Sequence, residues 1–257
     1  MKGYIMLSEG RSGSTWLGSL ANSTRRMGHL DEWLGEEHHD REIATLTPQE
    51  LVAEVMKRAT TENGRFAVKL FPRHLHHVHL NLGFDFIRRC MQEHETSLVL
   101  LTREDRLAQA ISFVRGIQTS QWTSCEAKRG TEEYDFAAIG RAYFYISRSY
   151  DFWDAYLGVN QYPHQRFTYE QLLGDPGPFL HAVQEALGVE GELEFKTDLK
   201  IQRDDKTLEW RQRFLDDVKK RDVIGLSGSF GAFGWFAQES LPQPKSSLAG
   251  KLKSLFR

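Results

Sequence analysis

Residues 4–7, Tyr-Ile-Met-Leu, run directly into Ser8-Glu9-Gly10-Arg11-Ser12-Gly13-Ser14-Thr15 and then Trp16-Leu17. An apolar run, a Gly/Ser loop and a helix start, in that order, constrain the fold more than any other stretch. Successive backbone N–H groups in such a loop, added to the unpaired donors of a helix start, form a cradle for an anionic oxygen cluster. The position of the cation narrows the reading. A nucleoside-triphosphate loop places Lys directly after its last Gly, whereas here Ser14 follows Gly13 and the cation, Arg11, precedes it. Taken alone, the segment also fits a plain strand-to-helix turn.

A chain of 257 residues buries one large core or at most two small ones. Hydrophobic residues at 40% and charged residues at 26% are ordinary for a folded enzyme and exclude a wholly disordered chain. The expectation is one domain over residues 1–240, followed by a basic amphipathic or disordered tail over 241–257. A net charge of −2 gives no overall attraction for nucleic acid or an acidic membrane, so an anion site must be a local basic pocket. Cys90 and Cys125 make no metal-ligand spacing, and the first residues lack the apolar core of a signal peptide. The reading is a cytoplasmic protein with two free thiols and no transmembrane segment.

Strand and helix signals alternate along the chain. A helix is expected from Gly13 to Thr24. Thr47-Pro48-Gln49-Glu50 combines an N-cap Thr, a Pro at the first helical position and a capping-box Glu, so a second helix runs to about Thr61. Phe66–Phe71 reads as a strand ended by Pro72, and Ser97–Thr102 as a buried parallel strand followed by a helix from near Glu104. A long helix spans about Glu132 to Tyr156. Its stripe of Phe136, Ile139, Tyr143, Ile146 and Tyr150 serves the core or a subunit contact. A fourth strand covers Gln165–Thr168, with helices over 178–187 and 206–220. The predicted fold class is α/β, a single-domain P-loop-like parallel β-sheet flanked by helices on both faces, with ligands at the C-terminal strand ends.

A second constellation follows the third strand. Arg103 lies where that strand empties toward the ligand edge, and Ser112 lies more than two turns along the next helix. An Arg fork and a hydroxyl there suit a second phosphate, distinct from the one in the first loop. A surface Arg capping a strand end, with a Ser facing a neighbouring helix, is the simpler alternative.

Arg11 to Thr15, the segment Gly28-His29-Leu30-Asp31-Glu32-Trp33, Val68-Lys69-Leu70, and Arg103 through Gln118-Thr119 and Trp122 together resemble the Stf-zero (Stf0) group of bacterial sulfotransferases. Known members sulfate a disaccharide such as trehalose. The most specific match is Arg-x-Asp-x-x-x-Gln-Ala-x-Ser-Phe-x-Arg-x-x-Gln-Thr from Arg103 to Thr119; most other sulfotransferases place the Ser one residue nearer the Arg. The likeness is looser over residues 165–215, through Tyr169 and Gln202-Arg203-Asp204. Where the family has Arg before that Gln this chain has Ile201, and Arg203 is the replacement cation. The family's Gly-Glu-Pro-Gln-Glu becomes Gly-His-Leu-Asp-Glu, which implies a changed acceptor pocket.

The resemblance implies 3′-phosphoadenylyl sulfate (PAPS) as donor and a hydroxyl of a carbohydrate or glycolipid as acceptor, with no metal and no nucleic acid. It assigns Arg11, Ser12, Gly13, Ser14, Thr15, Arg103, Ser112 and Arg203 to the donor. Glu32 matches the family's base, Arg11 suits the leaving side, and Lys69 ends a strand near the same edge. Known members form dimers, so a homodimer is expected. From the residues alone, Glu32 reads rather as one more solvated acid beside Asp31, Glu36 and Glu37, and Lys69 as often as a snorkelling surface residue. A small-molecule P-loop kinase and a non-catalytic nucleotide-binding module stay open as rivals.

His74, His76, His77 and His79, with His38 and His39, make none of the usual zinc motifs and read as surface or acceptor-pocket lining. The tail from Pro242 to Arg257 fits a docking helix for a partner or membrane surface, or a frayed terminus.

Overall fold

The computed structural model describes residues 1–35, 38–39, 42–200 and 204–227. Arg203, Ile201, Gln202, Glu36, Glu37 and the tail over 241–257 lie outside the described residues. Four strands, β1 (Lys2–Leu7), β2 (Arg65–Leu70), β3 (Glu95–Thr102) and β4 (His164–Thr168), form one sheet in the order β2-β1-β3-β4. Every pairing is parallel, with Leu7 level with Leu70 on one side and Leu100 on the other. The chain leaves β1, builds β2 on one flank and then crosses to build β3 on the other. The strand order therefore reverses at the C-terminal end of β1, the place where open α/β sheets bind ligands.

Side chains alternate across β1, as the period of two requires. Ile5 and Leu7 enter a core with Val68 and Leu100, closed by α2 (Pro48–Ala59), α3 (Pro72–Leu82), α4 (Phe86–Glu93), α5 (Arg106–Thr119) and α6 (Phe136–Asn160). Tyr4 and Met6 enter the opposite core with Ala67, Val99 and Leu101, closed by α1 (Ser14–Ser23) and α8 (Gly177–Leu187). A strand covered on both faces must be apolar throughout, and Tyr4 to Leu7 are all buried. A short α7 (Tyr169–Leu172) follows β4, and α9 (Asp205–Val218) and α10 (Ile224–Ser227) pack against α5 and α6 respectively. Among the described residues no helix is long and apolar enough to cross a membrane.

Expected helices and strands are present with small shifts at their ends. The box at α2 forms as read, Thr47 accepting from the Glu50 N–H while the Glu50 carboxylate accepts from the Thr47 N–H. The long helix starts at Phe136 rather than Glu132. Asp135 caps it by accepting from the Ala138 N–H, while Glu132 is drawn off to Arg115, Lys128 and Lys206. Phe136, Ile139, Ile146 and Tyr150 are buried in the chain's own core, with Tyr143 packed against it. Most of the stripe is thus used in the chain's own core.

The histidine stretch is only partly surface, His79 being exposed. It is helix α3, its start set by Pro72 and by the His74 ring, whose Nδ1 accepts from the Phe71 N–H at 3.4 Å. His74 and His77 are buried, not surface, because Leu75 and Val78 carry that face into the core. Among the described residues no group of three His, Cys, Asp or Glu could hold a metal ion.

Candidate active site

The loop after β1 is held from three sides by its carbonyls. Trp153 Nε1 of α6 donates to Ser8 O at 2.9 Å, Gln109 Nε2 of α5 to Gly10 O at 2.8 Å, and Arg103 Nη1 to Arg11 O at 3.0 Å. A trans peptide points its N–H opposite its C=O, so pinning these oxygens turns the N–H groups of Glu9, Arg11 and Ser12 to the other side of the loop. Ser8 Oγ ties the turn internally, 2.6 Å from Ser12 Oγ and 2.9 Å from Leu101 O. Arg11 and Gly13 both have positive φ, 65° and 91°. At Gly13 a Cβ would lie 2.5 Å from the Tyr169 ring, so the close approach needs glycine twice over.

Arg11 and the second constellation meet. Ser112 Oγ accepts from Arg11 Nε at 2.8 Å, and Arg11 Nη1 also donates to Trp122 O. Arg103 sits 4.8 Å from the Tyr169 ring centroid, beneath a turn whose Glu104 and Asp105 N–H groups donate to the Glu170 carboxylate. Burial first, then the Arg103 and Arg115 charges, push Arg11 down to about 10, against the opposing pull of Glu126 and Tyr169. It stays cationic at neutral pH. The structure therefore brings Arg103 and Ser112 onto Arg11 itself. Ser12, Ser14 and Thr15 follow in the loop and first helical turn.

Glu32 reaches the same cavity by a separate route. The chain after α1 crosses β2 at Gly28, where φ is +80° and a Cβ would lie 2.5 Å from the Ala67 backbone nitrogen. Asp31 then pairs in parallel with Val68, and Lys69 N donates to Asp31 O at 2.9 Å. This short edge sets Glu32 beside Lys69. Lys69 Nζ lies 3.0 Å from Glu32 Oε1 and 3.2 Å from Thr15 Oγ1. With 3% exposure Lys69 is no snorkelling surface residue.

The other Glu32 oxygen faces α3, with Oε2 3.5 Å from Arg73 Nη2 and 3.7 Å from His74 Nε2. Burial raises the Glu32 pKa, but the Lys69, His74 and Arg73 neighbours outweigh it and hold the carboxyl at about 2. His74 is itself pushed down to about 3, by burial and then by the Arg73 charge, so its ring is neutral at neutral pH. Its contact with Glu32 is dipolar, and Lys69 and Arg73 are the charges that keep Glu32 ionised.

Two members of this network, Glu9 and Arg73, were not legible as site residues, while His74, read as surface or acceptor-pocket lining, lies 3.7 Å from Glu32. Glu9 is fully buried, and Arg73 Nη1 lies 3.1 Å from its Oε1. An acid inside a loop read as an anion cradle is an anomaly that demands a cation, and that was the available signal. Nothing in the spacing said the cation would come from 64 residues downstream.

Arg11, Gly13, Thr15, Glu32, Lys69 and Arg103 line one cavity of about 600 Å³, with Trp16, Phe71, Trp122 and Tyr169 as aromatic walls. Leu199 and Lys200 also border it, the Lys200 N–H donating to Ser124 Oγ at 2.8 Å. The family model described as Stf0 sulphotransferase matches residues 3–217, from β1 into the last turn of α9. No curated protein sequence matches the chain.

Proposed function

The chain belongs to the Stf0 sulphotransferase family, and from that premise we propose that it transfers the sulfonate of PAPS to a hydroxyl of a carbohydrate or glycolipid. The observation that carries this reading is Lys69, whose ammonium touches both the phosphate-loop helix at Thr15 and the carboxylate of Glu32. A donor anchored in the loop would present its sulfonate at that junction, with Glu32 on the acceptor side.

The chain's residues then divide the work. The loop N–H groups and Arg11 take up the charge on the departing phosphate, an electrostatic role suited to a fixed, partly dry site. The acceptor oxygen bonds to sulfur as the bond from sulfur to the phosphate oxygen breaks, and the hydroxyl proton passes to Glu32. A carboxylate held at about 2 is a weak base while Lys69 is bound to it. Lys69 swinging from Glu32 toward the transferring sulfonate would remove the largest lowering influence on that carboxyl and strengthen the base when it is needed. Arg103 and Ser112 serve the donor through their hold on Arg11, and Arg103 is also the candidate for a 3′-phosphate. The aromatic walls suit the flat faces of a base or a sugar ring.

A homodimer rests chiefly on the family, most of the α6 stripe being buried in the chain's own core. Light scattering at micromolar concentration decides it, a monomer mass removing the claim.

The test of the function is a thermal-shift comparison of 3′,5′-adenosine bisphosphate with ATP·Mg²⁺, followed by transfer from labelled PAPS to a panel of sugars and glycolipids. Selective stabilisation by the bisphosphate and label in a sugar support the reading. Stabilisation by ATP·Mg²⁺ alone would move the chain to the kinase alternative.

A further inference from the structure

The first turn of α3 lies outside every motif that identified the site, yet it supplies two of the groups that face Glu32. We propose that Arg73 is a positioning residue that fixes the orientation and basicity of Glu32, and that the buried Glu9 is present to hold Arg73 in place. The inference rests on the reading of Glu32 as the base.

The geometry is a linear alternation of charge. Glu9 Oε1, Arg73 Nη1 and Nη2, Glu32 Oε2 and Oε1, and Lys69 Nζ follow one another at 3.1, 3.5 and 3.0 Å. Two carboxylates and two cations cancel, which a buried cluster requires. The Arg73 guanidinium also lies 4.4 Å from the Phe71 ring centroid, so its plane is held by stacking as well as by charge. An arginine can span two carboxylates at once because its fork has separate donors; a lysine offers one point charge.

His74 completes the arrangement. Its Nδ1 accepts from the Phe71 N–H, so the neutral ring carries its proton on Nε2, the nitrogen turned to Glu32. The groups facing Glu32 are therefore Lys69 from β2, Arg73 and His74 from α3, and Asp31, whose Oδ1 accepts from the Glu32 N–H. Arg73 in turn faces Glu9 from the loop and Tyr145 from α6. With Glu32 held on both oxygens, only a narrow set of approaches is left for an acceptor hydroxyl.

The experiment uses the full chain with Glu32→Gln as a control and two designed variants. Glu9→Gln with Arg73→Met removes the buried pair together and leaves no orphan charge, whereas Arg73→Lys keeps a cation on Glu9 but gives up the fork. The double variant should melt near the wild type and bind 3′,5′-adenosine bisphosphate equally well, while kcat drops about tenfold or more, as expected for a misaligned base. The acid limb of its kcat profile should move to higher pH, because a carboxylate that loses a neighbouring cation gains protons more readily. Arg73→Lys should keep the acid limb near the wild-type position and recover part of kcat. Wild-type kcat and acid limb in the double variant overturn the inference. If the double variant does not fold, a wild-type kcat in Arg73→Lys overturns it. Loss of kcat and bisphosphate affinity together also overturns it, since Arg73 would then be holding the loop rather than the base. Normal transfer by Glu32→Gln would instead remove the base reading itself, a failure distinct from these.

Discussion

Lys69 Nζ stands 3.0 Å from Glu32 Oε1, so the one lysine of β2 is paired with that carboxylate. The same ammonium reaches Thr15, in the first turn of α1.

Glu32→Gln keeps the size of the side chain but cannot take a proton. Turnover should fall by about 10²-fold or more while calorimetric affinity for 3′,5′-adenosine bisphosphate stays put. Near-normal single-turnover transfer would return Glu32 to a purely structural place.

Arg11→Ala and Arg103→Ala should each weaken bisphosphate binding, by about 1.5–3 kcal/mol for a lost charge-assisted contact. Adenosine 5′-monophosphate separates their roles. Arg11→Ala should weaken both ligands, and Arg103→Ala the bisphosphate more than the monophosphate. Equal losses in Arg103→Ala would mean that it acts only through its bond to the Arg11 carbonyl.

Acid should expose Glu32 as a linkage site. Its folded value of about 2 lies below the ordinary 4.5. Its contribution to stability is therefore complete above about pH 4.5 and fades as pH falls toward 2. Melting curves should show the wild type losing ground to Glu32→Gln between about pH 6 and pH 3; a constant gap would contradict the depressed value.

Gly28→Ala tests the crossing that delivers Glu32. A methyl there meets the Ala67 backbone at a φ of +80°, and a non-glycine residue in that region costs about 1–3 kcal/mol before the overlap is counted. A lower Tm by chemical or thermal melting is expected, and an unchanged Tm would show that the segment can detach from β2 without penalty.

Glu32 was singled out by the family resemblance, whereas the residues by themselves pointed to the layered α/β architecture, the Gly/Ser loop with Arg11, Lys69 at its strand end, and Arg103 with Ser112. These are local signals. Apolar runs, capping residues such as Thr47, and Gly/Ser loops act through neighbouring backbone, and their physics is complete within a few residues. Helix α3 was missed because histidine and asparagine dilute its apolar period, and its start depends on Pro72 and a ring bond from His74. Only the tertiary structure decided which charges meet. Glu9 with Arg73, Arg73 with Glu32, and Ser112 with Arg11 join residues far apart in the chain. Whether two charges neutralise each other depends on distances of a few ångströms and on exclusion of water, and both are set by how the strands order themselves around β1.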